Sequence, residues 1–249
     1  MGKTFEALMR AEKQKLIGPE EIKALDLKLH PQPPVPVSFD IPSHIVEGYL
    51  KMKRTLLSTT PGVKIKTILF SSSTGGEGTS TVLINFAITL ASGGDTVLVV
   101  DANLRNPILH GVFNLEKKGG FTELVLGNNT LEEVIKETQV NNLSVITSGT
   151  PHANPSSLFE SKLLDTLIGQ MKAHADWVLF DSPPINSYSD SSTFAEKIDG
   201  VVMVVQAEKT RWEEAQSAKE QIETGKVKIL GTILNRRNMY IPDWAYKRL

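Results

Sequence analysis

The chain of 249 residues contains no cysteine, which excludes disulfides, thiolate metal sites and cysteine nucleophiles. It also lacks any apolar run of about eighteen residues, the length that a membrane-spanning helix requires. Its opening, MGKTFEALMRAEKQK, is too charged for a secretory signal. These absences predict a cytoplasmic protein. Lys and Arg (27) nearly balance Asp and Glu (28), for a formal charge of −1. No broad basic field exists to hold nucleic acid, so no nucleic-acid partner is expected. Histidines occur at 30, 44, 110, 152 and 174; the scatter lacks metal-ligand spacing, and they read as surface, packing or loop residues. What remains is a chain with 40% apolar residues, enough for one substantial α/β core.

The most informative absence is a single lysine. Ser71-Ser72-Ser73-Thr74-Gly75-Gly76-Glu77-Gly78-Thr79-Ser80-Thr81 follows the apolar run KIKTILF (64–70) and opens the apolar helical pattern TSTVLINFAITLA. That is the strand–loop–helix setting of a phosphate-binding loop. Gly75, Gly76 and Gly78 let the backbone curl round a phosphate, and the helix N-terminus supplies unpaired N–H groups. Ser80 stands where a hydroxyl meets magnesium. The lysine position, however, holds Thr79.

Residues 1–29 read as a helical segment, and four prolines within seven residues of HPQPPVPVSFDIP make 30–42 a linker or strap. A helix is predicted over about Ser43 to Ser58. From 64 onward, β-branched runs (KIKTILF, TVLVVDA, NLSVITSG, DWVLFDS, GVVMVVQA, KILGTILN) alternate with helical patterns. Such runs belong to a doubly wound α/β fold, a mainly parallel sheet with helices on both faces and ligands at the carboxyl ends of its strands. The nucleotide-binding domain is assigned to 43–237, followed by a tail, 238–249.

Two strand ends carry acids. VLVVDANLRNP places Asp101 and Asn103 two residues apart, on one face of an extended chain, with Arg105 after them. WVLFDSPPI runs into Asp181 and two prolines. An Asp at the tip of a buried strand beside such a loop is where magnesium is held through water. The plainer reading is a cap for the following helix.

These features resemble the bacterial tyrosine kinases of capsule and exopolysaccharide synthesis, within the deviant-Walker P-loop ATPases. The resemblance runs from about residue 47 to the C-terminus. It takes in the loop, the spacing of Arg105, Pro107, His110 and Phe113, the run SGTPHANPSSLFES (148–161), Asp181-Ser182-Pro183-Pro184, Asp199-Gly200 and GTILNRR (231–237). It implies ATP and Mg2+ as cofactors, with Gly75, Gly76, Glu77, Gly78, Thr79, Ser80 and Thr81 cradling phosphate. It also implies Ser80, Asp101 and Asp181 at the metal, Asp101 helping to deprotonate the incoming tyrosine, and Asn235 and Arg236 at the adenine. Tyr240 and Tyr246 are the implied phosphoacceptors. A membrane polysaccharide co-polymerase is the implied activator, holding the protein at the inner face of the plasma membrane, and Glu47 and Lys53 are the implied homo-oligomer contacts.

The departures are Thr79 for the loop lysine, Asn103 for a second Asp after the second strand, and Leu50 within the oligomerisation pattern. They open a second reading, a non-catalytic nucleotide-binding regulator or scaffold for the co-polymerase. Loss of one positive and one negative group reads as a retuned pocket, the plainer alternative being that Lys64, Lys66, Arg105 or a neighbouring subunit supplies the missing charge; Leu50 is placed either on a neighbour or on its own domain. A membrane-positioning ATPase is a third reading, disfavoured because Pro242 and the short tail do not sustain an amphipathic helix.

Overall fold

The computed structural model describes residues 41–58 and 65–237; the segment 1–29, most of the Pro-rich linker and the tail lie outside the described residues. In chain order the elements are α1 (Ser43–Ser58), β1 (Thr67–Ser72), α2 (Thr79–Ser92), β2 (Val97–Asp101), α3 (Leu109–Val112), α4 (Phe121–Val125), α5 (Leu131–Val134) and β3 (Lys136–Glu137). There follow β4 (Leu143–Ile146), α6 (Pro155–Phe159), α7 (Leu163–His174), β5 (Trp177–Asp181), α8 (Asp190–Ala195), β6 (Gly200–Gln206), α9 (Trp212–Thr224) and β7 (Ile229–Asn235). One seven-stranded sheet runs β3-β4-β2-β5-β1-β6-β7. Every pairing is parallel except β3 with β4.

The apolar strands form this sheet because both faces of its central strands β1, β2, β5 and β6 are covered. Successive side chains point to opposite faces, and the two cores divide the strands accordingly. Leu69, Leu98, Val100, Val178, Phe180, Val201 and Met203 enter the core under α4, α7 and α8. Ile68, Phe70, Val97, Val99, Trp177, Leu179, Val202 and Val204 enter the core under α2. Helix α2 buries ten of its 14 residues, and Phe86 on it meets Tyr49, Phe70 and Trp177 at centroid distances of 6.0–6.3 Å. Helix α1 lies on α2 through Leu56, Tyr49 and Met52.

The six expected strands are all present. Strand β1 extends to Ser72 because Ser71 and Ser72 continue the ladder against Met203 and Val204 of β6. The additional strand β3 is two residues long and polar, with no alternation to reveal it. At the amino ends of the strands, Asp199 accepts from the amides of Lys66 and Thr67, each at 2.9 Å, and pairs with Lys172 at 2.6 Å. A Cβ on the neighbouring Gly200 would meet the Leu230 side chain at 2.6 Å, so the Asp-Gly pair pins β1 to β6 and lets β7 close on the sheet.

Candidate functional site

The carboxyl ends of β1, β2, β5, β6 and β7 converge on the glycine loop, and the loop's shape is fixed largely by Glu77. Its side chain is 2% exposed and turns inward, accepting from Ser73 N at 2.8 Å, Ser73 Oγ at 3.0 Å and Thr74 N at 3.1 Å. Thr210 Oγ1, which follows β6, donates to the same carboxylate. Gly78 adopts φ 91°, a conformation that strains any residue with a Cβ, and a Cβ there would also collide with the Asn235 amide. The helical ladder of α2 begins with Val82 N donating to Gly78 O at 3.0 Å. The N–H groups of Thr79, Ser80 and Thr81 therefore precede the ladder at the mouth of a 14-residue helix, the arrangement that receives phosphate.

Above the loop lies a cleft of about 320 Å3, lined by loop glycines, Thr79, Ser80, Thr81, Asn103, Ser182 and Arg236. A larger cavity of about 650 Å3 lies between α9 and β7. Its lining contains neither the loop glycines nor the strand-end acids, so the phosphate chemistry belongs to the smaller cleft.

Beneath the cleft, the register of β2 and β5 sets Asp101 directly beside Asp181, and both are fully buried. Asp181 accepts from Ser80 Oγ at 2.6 Å, and Asp101 accepts from the Leu109 amide at 3.0 Å. Asp101 thus does cap the following helix, as the plainer reading held. Each acid keeps one buried oxygen, Oδ1, with no hydrogen-bond partner. Burial pushes the Asp181 carboxyl up to about 7 against the hydrogen bonds from Ser80 and Ser182. Burial, followed by the charge of Asp181, holds Asp101 well above the ordinary carboxylate range. Two unpartnered carboxylate oxygens and a serine hydroxyl form a hard oxygen donor set of the kind magnesium takes, with water and phosphate completing the shell.

The remaining expected residues separate. The strand ends before Asn103: Ala102 N donates back to Val100 O at 3.1 Å, which turns the chain. Asn103 instead reaches the cleft rim, where its Oδ1 accepts from Asn106 N at 3.2 Å. Arg105 is held away from the loop by Asp190, at 2.7 Å from Nε, with Tyr188 stacked 4.1 Å from its guanidinium carbon. Lys66 points to the opposite end of the strands, donating to the carbonyls of Lys172 and Ala175 at 2.6 and 3.2 Å. Lys64, Tyr240 and Tyr246 lie outside the described residues. Glu47 is exposed on α1, Lys53 pairs with Asp95 at 2.5 Å, and Leu50 is 38% exposed.

Asn235 spends its amide on the loop, donating to Glu77 O at 2.8 Å and accepting from Arg236 N at 2.9 Å. Arg236 Nη1 lies 3.4 Å from Gly76 O and 3.2 Å from Gln206 Oε1. The contributions of Thr210 and Gln206 were missed in the sequence, where the only available signal was an acid inside a glycine loop.

Fold and site together define a P-loop protein of the α/β class, and residues 65–229 match the AAA domain family. The tyrosine-protein kinase YwqD of Bacillus subtilis is 34% identical over 193 residues, covering 78% of this chain and 81% of YwqD. The tyrosine-protein kinase CpsD of Streptococcus agalactiae is 34% identical over 200 residues, covering 80% of this chain and 87% of CpsD. Among solved structures, the chimerical protein CapA2B2 superposes with a TM-score of 0.74 at 31% identity, covering 86% of this chain and 90% of that one. The chain belongs to the bacterial tyrosine kinase family of P-loop proteins.

Proposed function

We propose that the protein is an ATP-dependent protein-tyrosine kinase of capsule or exopolysaccharide synthesis that binds Mg-ATP in the loop cleft. The observation that carries this reading is the pair of adjacent buried acids, each with an unpartnered oxygen, set under a glycine loop whose Ser80 hydroxyl reaches one of them. Ser80 and Asp181 would hold the metal, Asp181 through water, with Asp101 assisting. Bound Mg2+ would neutralise the phosphate oxygens as charge shifts between them. The loop amides position the triphosphate. A tyrosine oxygen forms the new bond to the γ-phosphorus, the bond to the β-phosphate oxygen breaks, ADP leaves, and the phenolic proton passes to Asp101. Tyr240 and Tyr246 are the acceptors in this scheme. A membrane co-polymerase activates the protein at the inner membrane face, and Glu47 contributes to self-association.

Thr79 supports a second reading, a nucleotide-binding regulator that does not transfer phosphate, because no charged side chain of the loop faces the cleft. Binding of ATP and ADP, with and without Mg2+, followed by mass spectrometry of the tail, tests both. Magnesium-dependent binding with phosphate on Tyr240 or Tyr246, both abolished in Asp181→Asn, is the expected result. Magnesium-dependent binding with an unmodified tail, even in the presence of the activator, would establish the regulator. Absence of binding at millimolar nucleotide would overturn both readings.

A further inference from the structure

We infer that Arg236 supplies the cation that the loop lacks, reaching the phosphates of a bound nucleotide from the end of the last strand rather than from inside the loop. This rests on the nucleotide-site reading above and departs from the adenine role that the resemblance implies. Arg236 lines the same cleft as Gly75, Gly76, Gly78 and Thr79. Its guanidinium is held by two oxygens, Gly76 O and Gln206 Oε1, both of them neutral. None of the five ion pairs among the described residues includes it. A cation that touches a phosphate loop and has no carboxylate beside it retains its charge for a ligand.

Its placement is built rather than incidental. The Arg236 backbone sits at φ 55°, a left-handed conformation disfavoured for a residue with a Cβ. Asn235 holds that conformation by clamping Glu77 O with its amide nitrogen while its Oδ1 takes the Arg236 amide. The strand end and the loop therefore move as one piece. Of the cations that the sequence offered for this role, two are described and both are committed elsewhere: Arg105 to Asp190 and Lys66 to carbonyls at the far end of the strands. Arginine suits reach from outside the loop, since its planar fork offers paired donors to phosphate oxygens over a longer span than an ammonium.

The test is calorimetric binding of ATP, inorganic tripolyphosphate and adenosine to the full chain and to Arg236→Ala, Arg236→Lys, Thr79→Lys and Arg236→Ala/Thr79→Lys. Removing the charge-assisted hydrogen bond to phosphate in Arg236→Ala should weaken ATP and tripolyphosphate by roughly ten- to a hundredfold and leave adenosine unchanged. Arg236→Lys should retain part of the affinity, and Thr79→Lys should restore polyphosphate binding in the Arg236→Ala background. Arg236 is exposed, and a thermal melt matching wild type confirms that each variant is folded. Equal weakening of ATP and adenosine with tripolyphosphate unchanged would move Arg236 to the base and overturn the inference, as would no change in any ligand. Failure of the wild type to bind either ATP or tripolyphosphate would instead overturn the underlying nucleotide-site reading.

Discussion

Glu77 is a charge whose work is internal. Its carboxylate replaces water with two backbone amides and the hydroxyls of Ser73 and Thr210, so removing it orphans several buried donors at once. Glu77→Ala should cost about 2–4 kcal/mol of stability, read as a lower thermal midpoint, and should also weaken nucleotide binding. The glycine spacing that announces the loop was legible because Gly76 and Gly78 answer a local backbone demand, both sitting in the left-handed region. The inward turn of Glu77 was not, because Thr210 lies 133 positions away. Arg105 illustrates the same limit. Its sequence position made it a candidate phosphate cation, yet Asp190, only 2% exposed, claims it.

At the scale of elements, α1 shows which interactions hold a surface helix. Its expected span and its observed span coincide at Ser43–Ser58. Lys53 and Asp95 form a partly exposed pair, so Lys53→Ala should cost no more than about 1 kcal/mol after solvent screening. Leu56 is 3% exposed against the α2 core, so Leu56→Ala should cost about 2–5 kcal/mol. Denaturant midpoints of the two variants would test that ordering; a larger loss for Lys53→Ala would contradict it. The sheet was legible for a related reason. Strands covered on both faces are apolar throughout, whereas the edge strand Lys136–Glu137 carries no apolar signal. It is recognised only through its ladder to Ser144 and Val145, and Lys136 adds a bond to Thr147 Oγ1 at 2.8 Å.

For the molecule as a whole, the buried acid pair sets the response to pH. Burial raises both carboxyls, Asp181 to about 7 and Asp101 well above its ordinary range, so the native state holds protons that the unfolded chain releases. Metal-free stability should therefore fall as pH rises from about 4 toward about 7. Thermal midpoints across that range should decline for wild type and flatten in Asp181→Asn; parallel curves would contradict the assignment. The two strand-end acids were legible as separate residues, but their adjacency depends on β5 inserting between β2 and β1, a matter of strand order that no local pattern encodes. The tie from Asn235 to Glu77 spans 158 positions, joining nearly the last described residue to the first loop of the sheet. During synthesis the loop emerges early and waits for β7, so the ribosome must release almost the entire domain before the cleft can take its final shape. Chains truncated before Asn235 should accordingly lack the tie that gives the glycine loop its final shape.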